Sequence, residues 1–419
     1  MTVENQGYAR LLAIACALAA PVPAPAAPPA HGPVGLQEVL ALALEHNTDL
    51  RSSGQDLASA HGALTQASLL PNPGLFVGSF GTKISPLGAP TPNQVGATWT
   101  IPFGGKRSAG IAAAEASVSA AKATTASVRH QLELNAATGF VNLLLAQALL
   151  AFTRSNQEAF HKTLALNELR YQAGKISFGE VLKLRIQALS IDDAVRQSEQ
   201  SLIAARADLS QLVGEGALAP DFTVQGALDP PPQPPEVTAE SLLTAALSRR
   251  PDYLALAEQE ESAKHSLTQA RRQPIPDLGV LVDYNHGNGN PDSYDLSLTI
   301  PVPLFDRNTG NIQQAQAALE KVRIAREALR NQLRDTALKA VAEWRSSSAQ
   351  MGAYRVGEQG AQQSLEIARH SYELGRGSLL EFLDAETSYR QVESSFLTAL
   401  ARNALAVYTL RFTSGEDVR

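Results

Sequence analysis

Cysteine, aromatic residues and positive charge are all scarce in this 419-residue sequence. The one cysteine, Cys16, lies in the N-terminal segment, so the chain after it can form no disulfide, thiol nucleophile or thiolate metal site. Aromatic residues make up only 5% of the chain while alanine is abundant, which is unlike an ordinary globular domain. The formal net charge is −6, so no basic excess is present to neutralise phosphates, and we expect no nucleic-acid partner.

The sequence also lacks a hydrophobic run long enough to cross a bilayer as a helix. The apolar segment LLAIACALAA (11–20) is too short for a span, and the small residues APA at 24–26 offer a cleavage site. We therefore predict a signal peptide at 1–26, followed by a linker at 27–35. Whether Cys16 is lipidated or removed with the signal stays open. An exported chain without a helical span is periplasmic, secreted or a β-barrel protein.

Signatures of enzymes and of metal sites are missing as well. GGKRS (104–108) resembles part of a phosphate loop, but it lacks the earlier glycine and has Arg107 where Ser or Thr is needed. No G-x-S-x-G nucleophile elbow is present. The eight histidines are scattered, and we expect His130 and His161 to be partly exposed polar positions on long helices. The sequence therefore predicts no enzymatic activity, no cofactor and no tight metal site.

What the sequence does contain is one pattern that occurs twice, about 200 residues apart. ALTQASLLPNPGL (63–75) aligns without gaps to SLTQARRQPIPDL (266–278), and WTIPF (99–103) matches LTIPV (298–302). A stiff proline-rich segment separates the two copies. A repeat of this length is a duplicated unit and not a solenoid period. The predicted units are a first repeat at 36–225, the linker at 226–237 and a second repeat at 238–415.

Each copy has the same order of predicted elements. Two helices come first, two short extended segments joined by a Gly, Pro, Asn and Ser loop follow, and DLSLTIPV (295–302) alternates with the period of a strand. Each copy then continues without proline, as from Phe103 to Ala219, which predicts a long helical hairpin. The predicted short helices are 36–46, 52–69, 239–249 and 253–272. The predicted strands are 73–80, 95–103, 276–285 and 293–302, and the predicted hairpins are 107–213 and 311–413.

The predicted long helices are unlike those of a compact domain. A helix at about 107–172 would be roughly 95 Å long at 1.5 Å per residue. In the second copy, apolar residues step by three and four, as in the seam of a coiled coil. An ordinary soluble coiled coil would explain these helices but not the strands. The seam residues are Ile312, Ala315, Leu319, Val322, Leu329 and Leu333, with Arg326 as the one break.

The four predicted strands, each of about nine residues, have the length of tilted membrane strands. Four strands cannot close a barrel, and open edges are not tolerated in lipid because their backbone groups would be unpaired. If the strands lie in a membrane, several chains must share one barrel, and three chains would supply twelve strands. Trp99 and Phe103, near a strand end, fit either an interfacial aromatic girdle or ordinary core aromatics.

Duplicated motifs, taken together and in order, point to a known family. P-x-P precedes the first strand of each copy (71–73 and 274–276), and the second TIP strand leads into PLFDRNTGNI (303–312). Two glycine-containing turns complete the set: YQAGKISFGEVL (171–182) and YELGRGSLLEFL (372–383). Over about 35–415 the chain resembles the TolC-like outer membrane factors, and most closely the heavy-metal branch typified by CzcC and CusC.

The resemblance implies a homotrimer whose twelve strands form one outer-membrane β-barrel, continued by a twelve-helix α-barrel across the periplasm of a Gram-negative bacterium. It implies outer-membrane lipid around the barrel, a periplasmic adaptor (membrane fusion protein) at the other end, and an inner-membrane RND pump. The implied function is the channel of a tripartite efflux system, with heavy-metal cations as cargo. Two alternatives stay open. One is a similar channel for drug efflux or type I protein secretion, and the other is an exported coiled-coil adaptor or scaffold with no membrane barrel.

The duplicated glycine turns are, by this resemblance, the helix-to-helix turns at the periplasmic tip. Gly174 and Gly375 fit the left-handed position that ends a helix. Ser177 and Ser378 are candidate N-caps of the returning helices, each with a glutamate three residues later, as in a capping box. The residues implied to contact the adaptor are Ala173, Gly174, Lys175, Leu374, Gly375 and Arg376.

Acidic residues near the same turns are candidates for a periplasmic gate. Glu180, Glu381 and Asp384 match positions where relatives place carboxylates around the closed mouth. Three-fold symmetry would turn each of them into a ring of like charge, which favours cations. Glu180 and Glu381 are explained equally well as capping-box residues, whereas Asp384 is not. The first copy has Lys183 at the position of Asp384, so only the second copy would supply that ring.

Overall fold

The computed structural model describes residues 32–78, 93–214, 216–228, 237–286 and 291–417. The predicted signal peptide at 1–26, Cys16, residues 27–31 of the N-terminal linker and residues 229–236 of the proline-rich linker lie outside the described residues. Residues 79–80, the end of the first predicted strand, also lie outside them.

The first repeat begins with a short strand and two helices, and a long helical hairpin makes up most of it. Its elements are β1 (Pro33–Val34), α1 (Leu36–His46), α2 (Thr48–Ser68), β2 (Gly74–Gly78), β3 (Gln94–Ile101), α3 (Lys106–Gln172), α4 (Phe178–Val213) and β4 (Thr223–Val224). Asn47 separates α1 from α2, and its side chain accepts hydrogen bonds from the N–H groups of Asp49 and Leu50. This N-cap fixes where α2 begins.

The second repeat has the same order of long elements. Its elements are α5 (Ala239–Arg249), α6 (Pro251–Arg272), β5 (Leu278–Asn285), β6 (Ser293–Thr299), α7 (Thr309–Glu373) and α8 (Leu379–Ser414). Pro251 stands in the first turn of α6, where its missing N–H removes no helical hydrogen bond. Pro251 also disfavours helical backbone at Arg250, so the chain breaks between α5 and α6 at that residue.

Four strands form one antiparallel sheet in the order β2-β3-β5-β6. In its centre, Val95 of β3 pairs with Tyr284 of β5. Strands β3 and β6 end before the predicted residues 103 and 302, because Pro102 and Pro301 have no N–H to donate to a neighbouring strand. Within the described residues, β2 and β6 each have one edge that no other strand covers.

The two long helices extend far beyond the sheet. Helices α3 and α7 have 67 and 65 residues, which gives each a length of about 100 Å at 1.5 Å per residue. Each turns back into a helix of 36 residues, α4 or α8. Helix α2 packs against α3, and α6 packs against both α3 and α7. Each long helix therefore packs against a shorter helix, α2 or α6, beyond the point where α4 or α8 ends.

The predicted seam of α7 is confirmed by its burial. Leu319 and Leu333 are buried, the other four predicted seam residues are half-buried, and the residues between them are mostly exposed. Arg326, the break in the seam, is itself half-buried because its Nη1 lies 3.0 Å from Oε2 of Glu260 on α6. The seam is thus the face of α7 that meets α6.

Glu260 of α6 forms ion pairs with side chains of α7 and so joins the two helices. Its side chain is 12% exposed and forms ion pairs with Arg323 and Arg326 of α7 and with Lys264 of its own helix. Burial raises the pKa of the Glu260 carboxyl, but hydrogen bonds from Arg326, Arg323 and Lys264 outweigh it and hold that pKa below its ordinary value. Glu260 is therefore ionised and paired at neutral pH.

A core lies where α1, α3 and α4 meet the short strands β1 and β4. Phe140 and Leu143 of α3 and Leu209 of α4 are among its buried side chains. Helix α3 contains an 18-residue stretch with a mean hydropathy of 1.6, apolar enough by composition for a membrane span, but half of it is buried inside the protein. Strands β1 and β4 pair in parallel, Val34 with Val224, and join the two ends of the first repeat.

His130 of α3 is buried, with 7% of its surface exposed, so the prediction of a partly exposed position is wrong. Its ring stacks on Phe412 of α8 with the ring centroids 4.5 Å apart. The pattern of α3 alone could not show that the end of α8 covers this face. His161 is exposed, as predicted, and its Nε2 lies 2.8 Å from Oδ1 of Asp192 on α4.

Candidate functional site at the hairpin tips and the sheet

The turn from α3 to α4 and the turn from α7 to α8 have the same backbone geometry. Each contains a glycine with left-handed φ, +67° at Gly174 and +69° at Gly375. In the second turn, the Arg376 N–H donates to the Ser371 carbonyl at 2.9 Å and the Gly375 N–H to the Tyr372 carbonyl at 3.0 Å, which is a Schellman motif. The first turn makes the equivalent two bonds.

Ser177 and Ser378 each begin the returning helix with a capping box. The Ser177 Oγ accepts from the Glu180 N–H at 3.3 Å, and the Glu180 carboxylate accepts from the Ser177 N–H at 2.8 Å. Ser378 and Glu381 make the same pair of bonds at 3.2 and 3.0 Å. Each turn thus satisfies backbone groups at both helix ends from within the turn itself, so its shape needs no partner protein.

Two hydrogen bonds hold the tips side by side at one end of the molecule. Tyr372 donates its hydroxyl to Oδ1 of Asn167 at 2.8 Å, and Asn167 is only 1% exposed. Arg170 donates to the Glu373 carbonyl at 2.8 Å. Sequence reasoning missed both bonds. No pattern could have revealed them, because they join residues about 200 positions apart and the second copy has Ala368 where the first has Asn167.

The two tips bury different aromatic residues. Tyr372 stacks on Phe382 at 5.6 Å within a core cluster to which α3, α4, α7 and α8 all contribute. Burial, and then the nearby Glu180 carboxylate, raise the pKa of Tyr372. The equivalent residue of the first copy, Tyr171, is 42% exposed and lies against Phe178, which is 55% exposed. The first tip therefore presents apolar surface, whereas the second tip is anchored inside the helical cluster.

All six residues expected to contact an adaptor are exposed at this end of the molecule: Ala173, Gly174, Lys175, Leu374, Gly375 and Arg376. No ion pair involves Lys175 or Arg376 within the described part of the chain. For both glycines, a Cβ atom built on the backbone would meet nothing within 4 Å. Each tip thus presents a small residue beside an unpaired cation.

The three candidate gate carboxylates differ in their surroundings. Glu180 and Glu381 are held in the capping boxes. Asp384 is exposed and forms no hydrogen bond or ion pair with the described residues. Glu381 and Asp384 line one groove of about 680 Å³ between α7 and α8, and Glu180 does not line it. The structure therefore brings two of the three carboxylates together and leaves Glu180 on the other hairpin.

One face of the four-stranded sheet is apolar on every strand. Side chains alternate between the faces of a strand, so the pairing register decides which residues share a face. The apolar face carries Leu75, Val77, Val95, Ala97, Trp99, Ile101, Leu278, Val280, Val282, Tyr284, Tyr294, Leu296 and Leu298. The opposite face is mainly Gly, Gln, Ser, Thr, Asn and Asp, with Phe76 and Leu281 as its large apolar residues. An exposed sheet of this kind is typical of membrane strands, which are apolar outward and polar inward.

Trp99 and Phe103 are both exposed, at 39% and 65%, so the alternative of ordinary core aromatics is wrong for both. Trp99 lies on the apolar face of the sheet, and its indole N–H donates to the Pro71 carbonyl at 2.9 Å. Phe305, in the segment after β6, is completely exposed. Aromatic residues thus stand exposed where the sheet passes into the helices.

A family model for outer membrane efflux proteins matches residues 39–215 and 242–416, which together cover most of both repeats. The chain belongs to the outer membrane efflux protein family. The two matched ranges follow the duplication seen in the sequence.

Two curated relatives of this outer membrane efflux protein are metal resistance proteins of Cupriavidus metallidurans. The cobalt-zinc-cadmium resistance protein CzcC is 29% identical over 91% of this chain and 90% of its own length. The nickel and cobalt resistance protein CnrC is 28% identical over 69% of each chain. A crystal structure of CusC superposes with a TM-score of 0.76 at 20% identity, covering 91% of this chain and 92% of that one.

These findings establish the family, the fold and the location of this outer membrane efflux protein. It is a transport protein of the outer membrane and not an enzyme. The fold is the mainly helical, duplicated fold of TolC-like channels, and the predicted resemblance to the CzcC and CusC branch is confirmed. Membership of the family decides against the alternative of an exported scaffold with no membrane barrel.

Proposed function

We propose that this efflux protein is the outer-membrane channel of a tripartite system that exports heavy-metal cations. The similarity to CzcC, which covers about nine tenths of both chains, supports the cargo class. The chain holds no energy-converting motif of its own. Energy for transport therefore comes from a pump in the inner membrane, which we propose to be of the RND type.

The observation that carries the channel assignment is the four-stranded sheet, which has one apolar face and, among the residues that the structure describes, two uncovered edges. Such a sheet cannot stand alone in lipid, because the backbone groups at its edges would be unpaired. Three chains placed edge to edge would supply twelve strands and close a barrel wide enough for a lumen. We therefore propose a homotrimer with the apolar face toward outer-membrane lipid and the polar face toward the lumen.

The long hairpins support a tube that crosses the periplasm. Helices α3 and α7 are each about 100 Å long, and the two tips lie side by side at the end of the hairpins. In a trimer, α3, α4, α7 and α8 of each chain would give twelve helices around one axis. The exposed tip residues 173–175 and 374–376 would then contact the periplasmic adaptor.

Asp384 supports a preference for cations at the proposed entrance. It is exposed and unpaired within the described residues, and Glu381 lines the same groove. In a trimer each would occur three times around the axis, and a ring of carboxylates favours cations over anions. A conduit needs weak and reversible interaction of this kind, since tight binding would slow the release of the cargo.

Deletion of the gene, followed by complementation, tests the cargo class. We expect the deletion strain to lose tolerance to zinc, cobalt or cadmium salts and to keep its tolerance to hydrophobic drugs and detergents. Expression of the wild-type chain restores metal tolerance. Loss of drug tolerance or of secretion of a protein substrate, with metal tolerance unchanged, would assign the channel to drug efflux or type I secretion instead.

A further inference from the structure

A cluster of three potential metal ligands lies away from the hairpin tips. His130 and Glu133 stand on α3, and Asp417 follows the end of α8. One ring nitrogen of His130 and one oxygen of each carboxylate lie within 4.8 Å of one another. His130 is 7% exposed and Glu133 is 2% exposed, while Asp417 is exposed. The cluster is thus a buried pair on one helix covered by a carboxylate from another segment.

The hydrogen bonding of His130 leaves one ring nitrogen available as a ligand. Its Nε2 lies 3.1 Å from the Phe412 carbonyl oxygen, which can only accept a hydrogen bond, so Nε2 carries the hydrogen. In the neutral imidazole, Nδ1 then has a free lone pair. Metal-binding histidines commonly donate their second N–H to a backbone carbonyl in this way, and the bond fixes the orientation of the ring. Stacking on Phe412 holds the same ring from its face.

The segment that carries Asp417 is held in a defined position. Gly415 has a φ of +79°, its N–H donates to the Phe412 carbonyl, and the Glu416 N–H donates to the Arg411 carbonyl at 3.0 Å. These bonds form a Schellman motif at the end of α8. Glu416 also forms an ion pair with Arg249 of α5, with a distance of 3.5 Å between Oε1 and Nη1. Asp417 therefore follows a residue that is fixed on two sides.

Charge and spacing at the cluster favour a divalent cation. Two carboxylates approach each other here, and one of them, Glu133, pairs with the half-exposed Arg129, whose Nε lies 3.2 Å from Glu133 Oε1. A mixed set of imidazole and carboxylate ligands suits zinc or cobalt better than calcium or magnesium. Ligands of a tetrahedral zinc ion lie about 3.3 Å apart, so the three side chains, which offer donor atoms within 4.8 Å of one another, need to move closer together to bind one ion.

We propose that His130, Glu133 and Asp417 bind one borderline divalent transition-metal ion, such as Zn²⁺ or Co²⁺. The ion ties the segment after α8 to α3, and so joins the end of the second repeat to the first. The existence of this site does not depend on which cargo the channel exports.

Metal binding to the purified full-length protein in detergent, without a histidine tag, tests the proposal. The protein is first stripped of metal with a chelator, which is then removed, and Co²⁺ is titrated while its visible absorption is followed. We expect one Co²⁺ per chain at micromolar concentration, with the absorption lost when Zn²⁺ displaces it. Asp417→Asn should weaken binding at least tenfold, because it replaces an anionic ligand with a neutral one. Asp193→Asn is the matched control: it makes the same chemical change at a carboxylate on α4 whose side chain is 77% exposed and that lies outside the cluster, and it should leave binding unchanged.

Asp417 is exposed, so its replacement does not threaten folding in the way that replacement of the buried His130 would. Absence of a stoichiometric Co²⁺ signal in the wild-type protein would overturn the proposal. Equal binding by Asp417→Asn and wild type would also overturn it. If Asp193→Asn weakened binding as much as Asp417→Asn, the overall negative charge of the protein would hold the ion, and the assigned ligand set would be wrong. None of these outcomes bears on the efflux proposal, which the growth assay tests separately.

Discussion

Replacement of Gly375 separates the backbone requirement of the tip from its proposed contact with an adaptor. Gly375 has a φ of +69°, and an added Cβ would meet no atom within 4 Å. Replacement of Gly375 therefore destabilises the folded chain through backbone strain alone, by about 1–2 kcal/mol for a non-glycine residue in the left-handed region. The buried cluster around Tyr372 and Phe382 holds the hairpin, so a loss of this size should leave it folded.

We expect Gly375→Ala and Gly375→Trp to reach the outer membrane as trimers at wild-type levels, because both carry the same strain. Gly375→Ala should keep most of the transport activity, whereas Gly375→Trp should abolish it, because the indole occupies the space proposed for the adaptor. Gly216→Trp is the matched control. Gly216 also has a left-handed φ, +82°, and open space around its Cβ position, but it lies far from the tips.

The assay is growth on metal salts of the deletion strain complemented with each variant, with the trimer level measured on unheated gels. Wild-type metal tolerance with Gly375→Trp would refute the proposed contact at this tip. Loss of the trimer with Gly375→Ala would refute the magnitude assigned to the strain, because 1–2 kcal/mol would then be enough to unfold the hairpin.

Three further predictions concern side chains of the helices. Tyr372→Phe should lower the free energy of unfolding by about 1–3 kcal/mol, because it leaves the buried amide oxygen of Asn167 without its hydrogen bond, whereas Tyr171→Phe at the exposed equivalent position should change it little. Glu260→Gln should lower the free energy of unfolding, measured with a chemical denaturant at pH 7, by about 1–3 kcal/mol, whereas Glu261→Gln at the exposed neighbouring position should change it little. Because its partners lower the pKa of Glu260 in the folded protein, this difference should be present above the ordinary carboxyl pKa of 4.5 and disappear as the pH falls through the lowered pKa. Asp384→Asn should reduce the cation selectivity of single channels in planar bilayers while the trimer is unchanged.

For these three predictions, the contradicting results are equally specific. Equal effects of the two tyrosine variants would mean that the Tyr372 hydroxyl does not stabilise the tip. A difference between the two glutamate variants that does not decrease as the pH falls below 4.5 would mean that ionisation of Glu260 is not its cause. Unchanged cation selectivity in Asp384→Asn would remove Asp384 from the proposed entrance.

The parts of this fold that the sequence predicts well are those that depend on neighbouring residues. The glycine turn and the capping box each involve positions within about six residues, and the structure places Gly375, Ser378 and Glu381 in that geometry. The long helices follow from the absence of proline. Strand ends were misjudged at Pro102 and Pro301, because the apolar alternation continues past a residue that cannot join the ladder.

Features that depend on which elements meet in space could not be predicted. The bond between Tyr372 and Asn167 joins different repeats, and no motif pairs the two residues. The burial of His130 depends on the end of α8, which covers a face of α3 that looks polar in the sequence. Likewise, the partner that makes Arg326 tolerable in an apolar seam, Glu260, lies on another helix.

The shared barrel is the central claim, and membrane fractionation with gel electrophoresis of unheated and heated samples tests it most directly. We expect the protein in the outer-membrane fraction, and we expect the unheated sample to run near three times the mass of the heated chain. A soluble monomer, or a membrane species with the same mass before and after heating, would contradict the claim that three chains close one barrel.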